Sequence, residues 1–113
     1  MQYLISGEVI KGDGYGRQLG FPTVNLKVRT EALPPAGVYA GAASFVSKGI
    51  FDTYRAGILI NPGGKVEAHL IGYNGDAYGK IVTLKLKKFL REYKNFDTEE
   101  ELINQIKEDI KRC

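Results

Sequence analysis

The sequence predicts a mostly β protein, a small antiparallel barrel or sandwich closed by one C-terminal helix. Three observations carry this. Short apolar runs recur along the first ninety residues, and glycine clusters at 7–20, 37–41, 57–64 and 72–79 break them up. Glycine supplies 14 of the 113 residues, without a collagen-like period, so the chain turns often or brings backbones close together. After residue 97 the pattern changes to helical spacing. Strands at short intervals with glycine turns between them are the mark of small all-β architectures.

Taken in order, Tyr3–Val9, Gly37–Phe45, Tyr54–Ile60, Val66–Ile71 and Lys80–Leu90 read as strands. The last is the plainest. Val82, Leu84 and Leu86 alternate with Thr83, Lys85 and Lys87, which puts one face in a core and the other in water. Asn61-Pro62-Gly63-Gly64 and Asn74-Gly75-Asp76 are turns, because proline fixes one dihedral and glycine takes the positive one. Asp97 with Glu100 three residues on predicts a helix cap. Leu102, Ile103, Ile106 and Ile110 then form an apolar stripe over residues 98–112, with acids leading and Lys107, Lys111 and Arg112 trailing, as the helix dipole favours. The economical role for that stripe is structural, as a lid on one end of the barrel.

Composition narrows the function. With 113 residues, 43% hydrophobic and 26% charged, the chain has room for one globular domain, here taken as 1–113. No apolar run approaches the ~20 residues that span a bilayer, and no signal peptide is visible. The one cysteine, Cys113, excludes a disulfide scaffold and points to a reducing, cytoplasmic setting. A net charge of +3 permits an anionic ligand without requiring nucleic acid.

Three segments hold groups capable of chemistry. In Gly12–Asn25 the alternating Gly12, Gly14 and Gly16 leave backbone N–H groups uncovered, a donor row suited to phosphate oxygens, and Arg17 adds a planar cation. Neither a Walker loop nor a Rossmann fingerprint is present. Thr23 and Asn25 offer the hard oxygens that Mg²⁺ accepts beside phosphate and water. By composition alone the favoured reading of the same glycines is a loop used only for tight turns. In Val66–Leu70, the apolar residues alternate with Glu67 and His69, which therefore share the opposite face; Glu67 is placed to accept a proton or simply to be solvated. A single histidine makes no zinc site. In Phe89–Asp97 aromatic rings alternate with cations, which suits a flat aromatic ligand with Arg91 or Lys94 near an anion, or else a hinge whose rings cover the barrel mouth.

Together these segments resemble the riboflavin kinase (flavokinase) family, including the C-terminal module of bifunctional FAD synthetases. The resemblance runs through Gly7-Glu8-Val9, Gly12–Asn25 with its Leu19-Gly20-Phe21-Pro22-Thr23-Val24-Asn25, Gly37-Val38-Tyr39, Glu67-Ala68-His69-Leu70, Tyr78-Gly79 and Leu90–Phe96 into the helix. It implies a six-stranded antiparallel Greek-key barrel with a C-terminal helix. The implied reaction moves the γ-phosphoryl of ATP to the 5′-hydroxyl of riboflavin, giving FMN and ADP.

Carried over residue by residue, the resemblance implies Glu67 as general base and Thr23 and Asn25 as the Mg²⁺ positions, with Zn²⁺ or Mn²⁺ as alternative ions. It implies nucleotide contacts at Gly12, Arg17, Leu70, Gly72 and Tyr78, and flavin contacts at Arg91, Lys94 and Phe96. Partners would be riboflavin, FMN, ATP and ADP, with no nucleic acid or membrane, and the chain a monomer. Three departures stand out. Val24 replaces the usual alanine and is expected to crowd the metal loop. Ile60–Lys65 is short, trimming one rim loop. Gly72-Tyr73 replaces Asp-Phe, which leaves only backbone to contact a ligand at 72. No adenylyltransferase segment precedes Met1, so FAD synthesis is not expected. A flavin- or nucleotide-binding regulatory module without catalysis is the alternative.

Overall fold

A computed structural model describes residues 3–11, 23–28, 33–73, 75 and 77–113. Six strands and one helix follow in order: β1 (Tyr3–Ile10), β2 (Val24–Lys27), β3 (Gly37–Ser47), β4 (Ile50–Ile60), β5 (Val66–Leu70), β6 (Ile81–Arg91) and α1 (Glu99–Arg112). The strands close into an antiparallel barrel in the order β1-β2-β5-β4-β3-β6. Strands β3, β4 and β5 form a meander, and β6 returns to lie beside β3, which is the Greek-key arrangement expected.

The alternation seen in the sequence decides what goes inside. Val82, Leu84 and Leu86 of β6 are buried, and Lys85 and Lys87 between them are exposed. Val66, Ala68 and Leu70 of β5 are buried, as are Ala56, Ile58 and Ile60 of β4. These join Ile5, Val9, Leu26 and Phe45 in one core cluster. Such burial, at ~25 cal/mol per Å² of apolar surface, is the main force that closes the barrel.

Two features depart from the sequence reading. Strand β2 was not among the predicted runs, although Val24-Asn25-Leu26-Lys27 alternates as a strand should; its four residues are held by β1 on one side and β5 on the other. Strands β3 and β4 are each longer than expected, because the chain reverses in a two-residue hairpin at Lys48 (φ 52°) and Gly49 (φ 78°). Two positive φ values in succession match the right-handed twist of the flanking strands. The Asn61–Gly64 turn is as expected: the Gly64 N–H bonds the Asn61 carbonyl at 3.0 Å, and Asn61 Oδ1 accepts from the Lys65 N–H at 3.0 Å. Of the Asn74–Asp76 turn, Asn74 and Asp76 lie outside the described residues.

The helix starts one residue later than the sequence predicts. Thr98, not Asp97, is the cap, and its hydroxyl accepts from the Glu101 N–H at 3.2 Å. Leu102, Ile103, Ile106 and Ile110 are half-buried. The C-terminal turn of α1 lies against the outer side of the barrel wall. Arg55 of β4 donates to the Cys113 carbonyl at 3.2 Å, and the Cys113 Sγ lies 3.4 Å from where a Cβ at Gly57 would be.

Candidate active site

The site is built on the outside of the barrel. On β5 the buried Val66, Ala68 and Leu70 force Glu67 and His69 outward, and both are half-buried. On β2 the buried Leu26 turns Asn25 outward. The ladder between the two strands pairs Val24 with Ala68, Asn25 with Glu67 and Leu26 with Val66. Asn25 and Glu67 are therefore direct cross-strand neighbours on one face, with Cβ atoms about 5 Å apart. Thr23 immediately precedes β2 and is half-buried. The amide and the carboxylate singled out in the sequence are thus brought together by the β2–β5 ladder.

Val24 is a correction. It does not crowd the metal-facing side, because it points inward and packs, partly buried, against the core cluster.

The row that contains Asn25 and Glu67 continues around the wall. Ile10 pairs with Asn25, Glu67 with Leu59, Leu59 with Val38, and Val38 with Arg91. Arg91 therefore lies on the same row as Glu67, three strands away. At ~4.8 Å per strand that is roughly 14 Å along the curved wall. The middle of the row is apolar. Leu59 is half-buried, and Val38 is buried although it stands outside the core cluster.

At the Arg91 end, two bulges in the β3–β6 ladder bring Phe89 beside Tyr39, with ring centroids 5.2 Å apart in an edge-on contact. The Tyr39 hydroxyl, whose pKa burial pushes up, donates to the Pro35 carbonyl at 2.7 Å. Phe96 lies under two cations, 5.7 Å from the Arg91 guanidinium and 5.3 Å from Lys94 Nζ. Arg91, Lys94 and Phe96 are thus brought together as expected. Arg91 also has a partner that sequence reasoning missed: Asp109 of α1, bonded to its Nη2 at 2.9 Å. The signal was available, since Asp109 falls three residues after Ile106 on the apolar side of the helix, where an acid needs a cation.

Of the expected nucleotide residues, Leu70 ends β5 three residues beyond Glu67, Gly72 follows in the next turn, and Tyr78 lies in the turn before β6. Leu70 is a core residue, and its carbonyl accepts from the Tyr73 N–H at 3.3 Å, so it closes a turn. Gly72 takes φ 83° in that turn, a conformation side chains resist. Tyr78 is exposed, with Lys11 Nζ 5.9 Å above its ring. Its neighbour Gly79 bonds the Val9 carbonyl at 3.0 Å, which fixes this turn beside the end of β1 that leads to Asn25's side of the wall. Gly12, Gly14, Gly16 and Arg17 lie outside the described residues.

Among the described residues no group of three or more His, Cys, Asp or Glu side chains forms a metal site. The ladder sets the Asn25 amide beside the Glu67 carboxylate, and Thr23 stands two residues before Asn25 in the chain, which makes a set of hard oxygen donors. Such a set fits a hard cation that keeps waters and shares phosphate oxygens, rather than a protein-caged ion. No described helix is long and apolar enough to cross a membrane.

The fold is a closed six-stranded Greek-key barrel with one C-terminal helix, carrying the Asn25–Glu67 pair on its wall and the Arg91, Lys94 and Phe96 cluster at the end of the same row. The chain belongs to the riboflavin kinase family: the family model described as "Flavokinase: Riboflavin kinase" matches residues 1–113. It is 35% identical to the riboflavin kinase of Homo sapiens over 124 residues, covering 100% of this chain and 79% of that protein. It is 32% identical to the bifunctional riboflavin kinase/FMN adenylyltransferase of Escherichia coli K12 over 111 residues, 95% of this chain but 36% of that protein. The chain therefore spans about a third of such bifunctional relatives. The crystal structure of riboflavin kinase from Trypanosoma brucei superposes with a TM-score of 0.76 at 23% identity, covering 97% of this chain and 73% of that one, and so shares the fold.

Proposed function

We propose that residues 1–113 act as one unit, a riboflavin kinase that transfers the γ-phosphoryl group of ATP to the 5′-hydroxyl of riboflavin. The observation that carries this reading is the direct pairing of Asn25 with Glu67. A primary alcohol does not ionise near neutral pH, so its proton must leave as its oxygen bonds to phosphorus. Glu67 takes that proton. The bond from the γ-phosphorus to the bridging oxygen breaks, and its electron pair departs on ADP. Asn25 and Thr23 would hold Mg²⁺, which would neutralise phosphate charge. The strands keep base and donor set at a fixed spacing, the positioning on which phosphoryl transfer chiefly depends.

The isoalloxazine ring is assigned to the far end of the row, beside Phe96 and Lys94, with Arg91 shaping that end. The ring and the ribityl chain together then run along Val38 and Leu59 toward Glu67, the whole flavin and not the ribityl chain alone covering the span of roughly 14 Å given by three strand spacings. Tyr78, Lys11 and the Gly72 turn stand on the nucleotide side. Gly12, Gly14, Gly16, Arg17 and Leu70 retain nucleotide assignments, Leu70 through its backbone. The active form is a monomer that acts on small molecules and not on nucleic acid.

The test is incubation with riboflavin and each of four nucleoside triphosphates, with and without Mg²⁺, followed by chromatography for FMN. FMN formed with ATP and Mg²⁺ is the expected result. Riboflavin binding without FMN under every condition would instead identify a regulatory module.

A further inference from the structure

The end of β6 is held by one guanidinium that touches three parts of the chain. Arg91 Nε donates to both carboxylate oxygens of Asp109, at 3.0 and 3.2 Å, and Nη2 donates to Oδ2 at 2.9 Å. Its Nη1 donates to the Glu92 carbonyl at 3.1 Å, where the chain leaves the strand. Its face lies 5.7 Å from the Phe96 ring. Asp109 is only 7% exposed, and Gln105 supplies a further hydrogen bond to Oδ1 at 2.9 Å. A buried ion pair returns little net stability, because desolvation consumes the Coulomb gain; what it fixes firmly is geometry. A forked guanidinium gripped on one edge by a carboxylate has its plane set, and with it the direction of every other contact it makes.

We propose that Asp109 is a positioning residue for riboflavin. Through Arg91 it sets the path of residues 92–96, so that docking of α1 on the barrel wall is part of the flavin site. This rests on the riboflavin reading above and deepens it. Asp109 does not touch the flavin; it acts through Arg91, which spends its charge on the helix rather than on a ligand anion.

The discriminating variant is Asp109→Asn, which keeps the side chain's size and its bond to Gln105 but removes the charge. Its riboflavin KM is expected to rise roughly tenfold, as a misplacement of an ångström or less would produce, while kcat and the KM for Mg·ATP stay within twofold. Riboflavin binding without nucleotide, read from quenching of flavin fluorescence, should weaken in step. A riboflavin KM changed by less than twofold overturns the proposal, and so does a parallel loss in both KM values, which would mark a merely structural role. If Asp109→Asn fails to fold, Gln105→Ala removes one bond to the same carboxylate and should raise riboflavin KM about two- to threefold; no change there overturns the proposal equally. A wild-type chain that binds riboflavin without phosphorylating it sinks the kinase assignment alone, and the binding titration still decides the role of Asp109. A wild-type chain that does not bind riboflavin sinks both.

Discussion

Asn25 and Glu67 stand opposite one another in the β2–β5 ladder, an amide and a carboxylate on adjacent strands of one barrel wall. Their separation is set by backbone hydrogen bonds, not by a loop that must close, so under the proposed mechanism the base would be organised before substrate arrives. Glu67→Gln preserves the shape and removes the proton acceptor. Its kcat should fall ~10²–10⁴-fold with riboflavin binding within twofold. Initial rates of FMN formation, paired with a fluorescence titration, check both halves; near wild-type turnover would show that Glu67 is not the base.

Thr23 and Val24 are neighbours with different proposed roles, and their substitutions should separate accordingly. Thr23→Ala should raise the KM for Mg·ATP about tenfold and shift the Mg²⁺ dependence, in line with loss of one hard donor. Val24→Ala, on the core side, should cost about 1–2 kcal/mol of stability and leave KM unchanged. Steady-state kinetics and urea unfolding on the two proteins are the measurement.

The helix cap offers an equally sharp contrast. Thr98→Ala removes the acceptor for the Glu101 N–H and should destabilise by about 1 kcal/mol. Asp97→Ala, one residue earlier and exposed, should cost only a few tenths. Equal losses at both positions would contradict the cap seen here.

Cys113 ties stability to alkaline pH. Burial first, and then the negative charge of Asp109, push its thiol pKa above the ordinary 9.0. Below that ordinary value both folded and unfolded chains hold the proton, and stability is unaffected. As pH rises past it, the unfolded chain ionises while the folded one does not, so stability falls until the folded thiol also titrates. Cys113→Ser should show a smaller fall between pH 8 and pH 10 in urea midpoints, and an identical fall would show that the thiol has no part in it.

Much of this was legible beforehand, for identifiable reasons. The leucine and lysine alternation of β6 and the outward placement of Glu67 follow from a period of two, which the chain cannot disobey without burying charge. Strand β2 is not legible in the sequence because its four residues carry only two inward apolar side chains, Val24 and Leu26, too few to define a period of two. The reversal at Lys48-Gly49 was missed because lysine seldom takes a positive φ, so β3 and β4 were read short. The ties from Arg91 to Asp109 and from Arg55 to Cys113 join residues 18 and 58 positions apart, and no local pattern encodes a pairing at that distance. The acid on the helix's apolar side showed only that some cation had to meet it.

Odd and even residues of a single stave hold separate offices here. Val66, Ala68 and Leu70 look inward to the oily centre, while Glu67 and His69 look outward. The centre can drift among shapes of equal volume, altering melting temperature and little else. A lineage of such barrels can thus adapt to heat or cold by repainting the inside of the cask, leaving its working surface untouched.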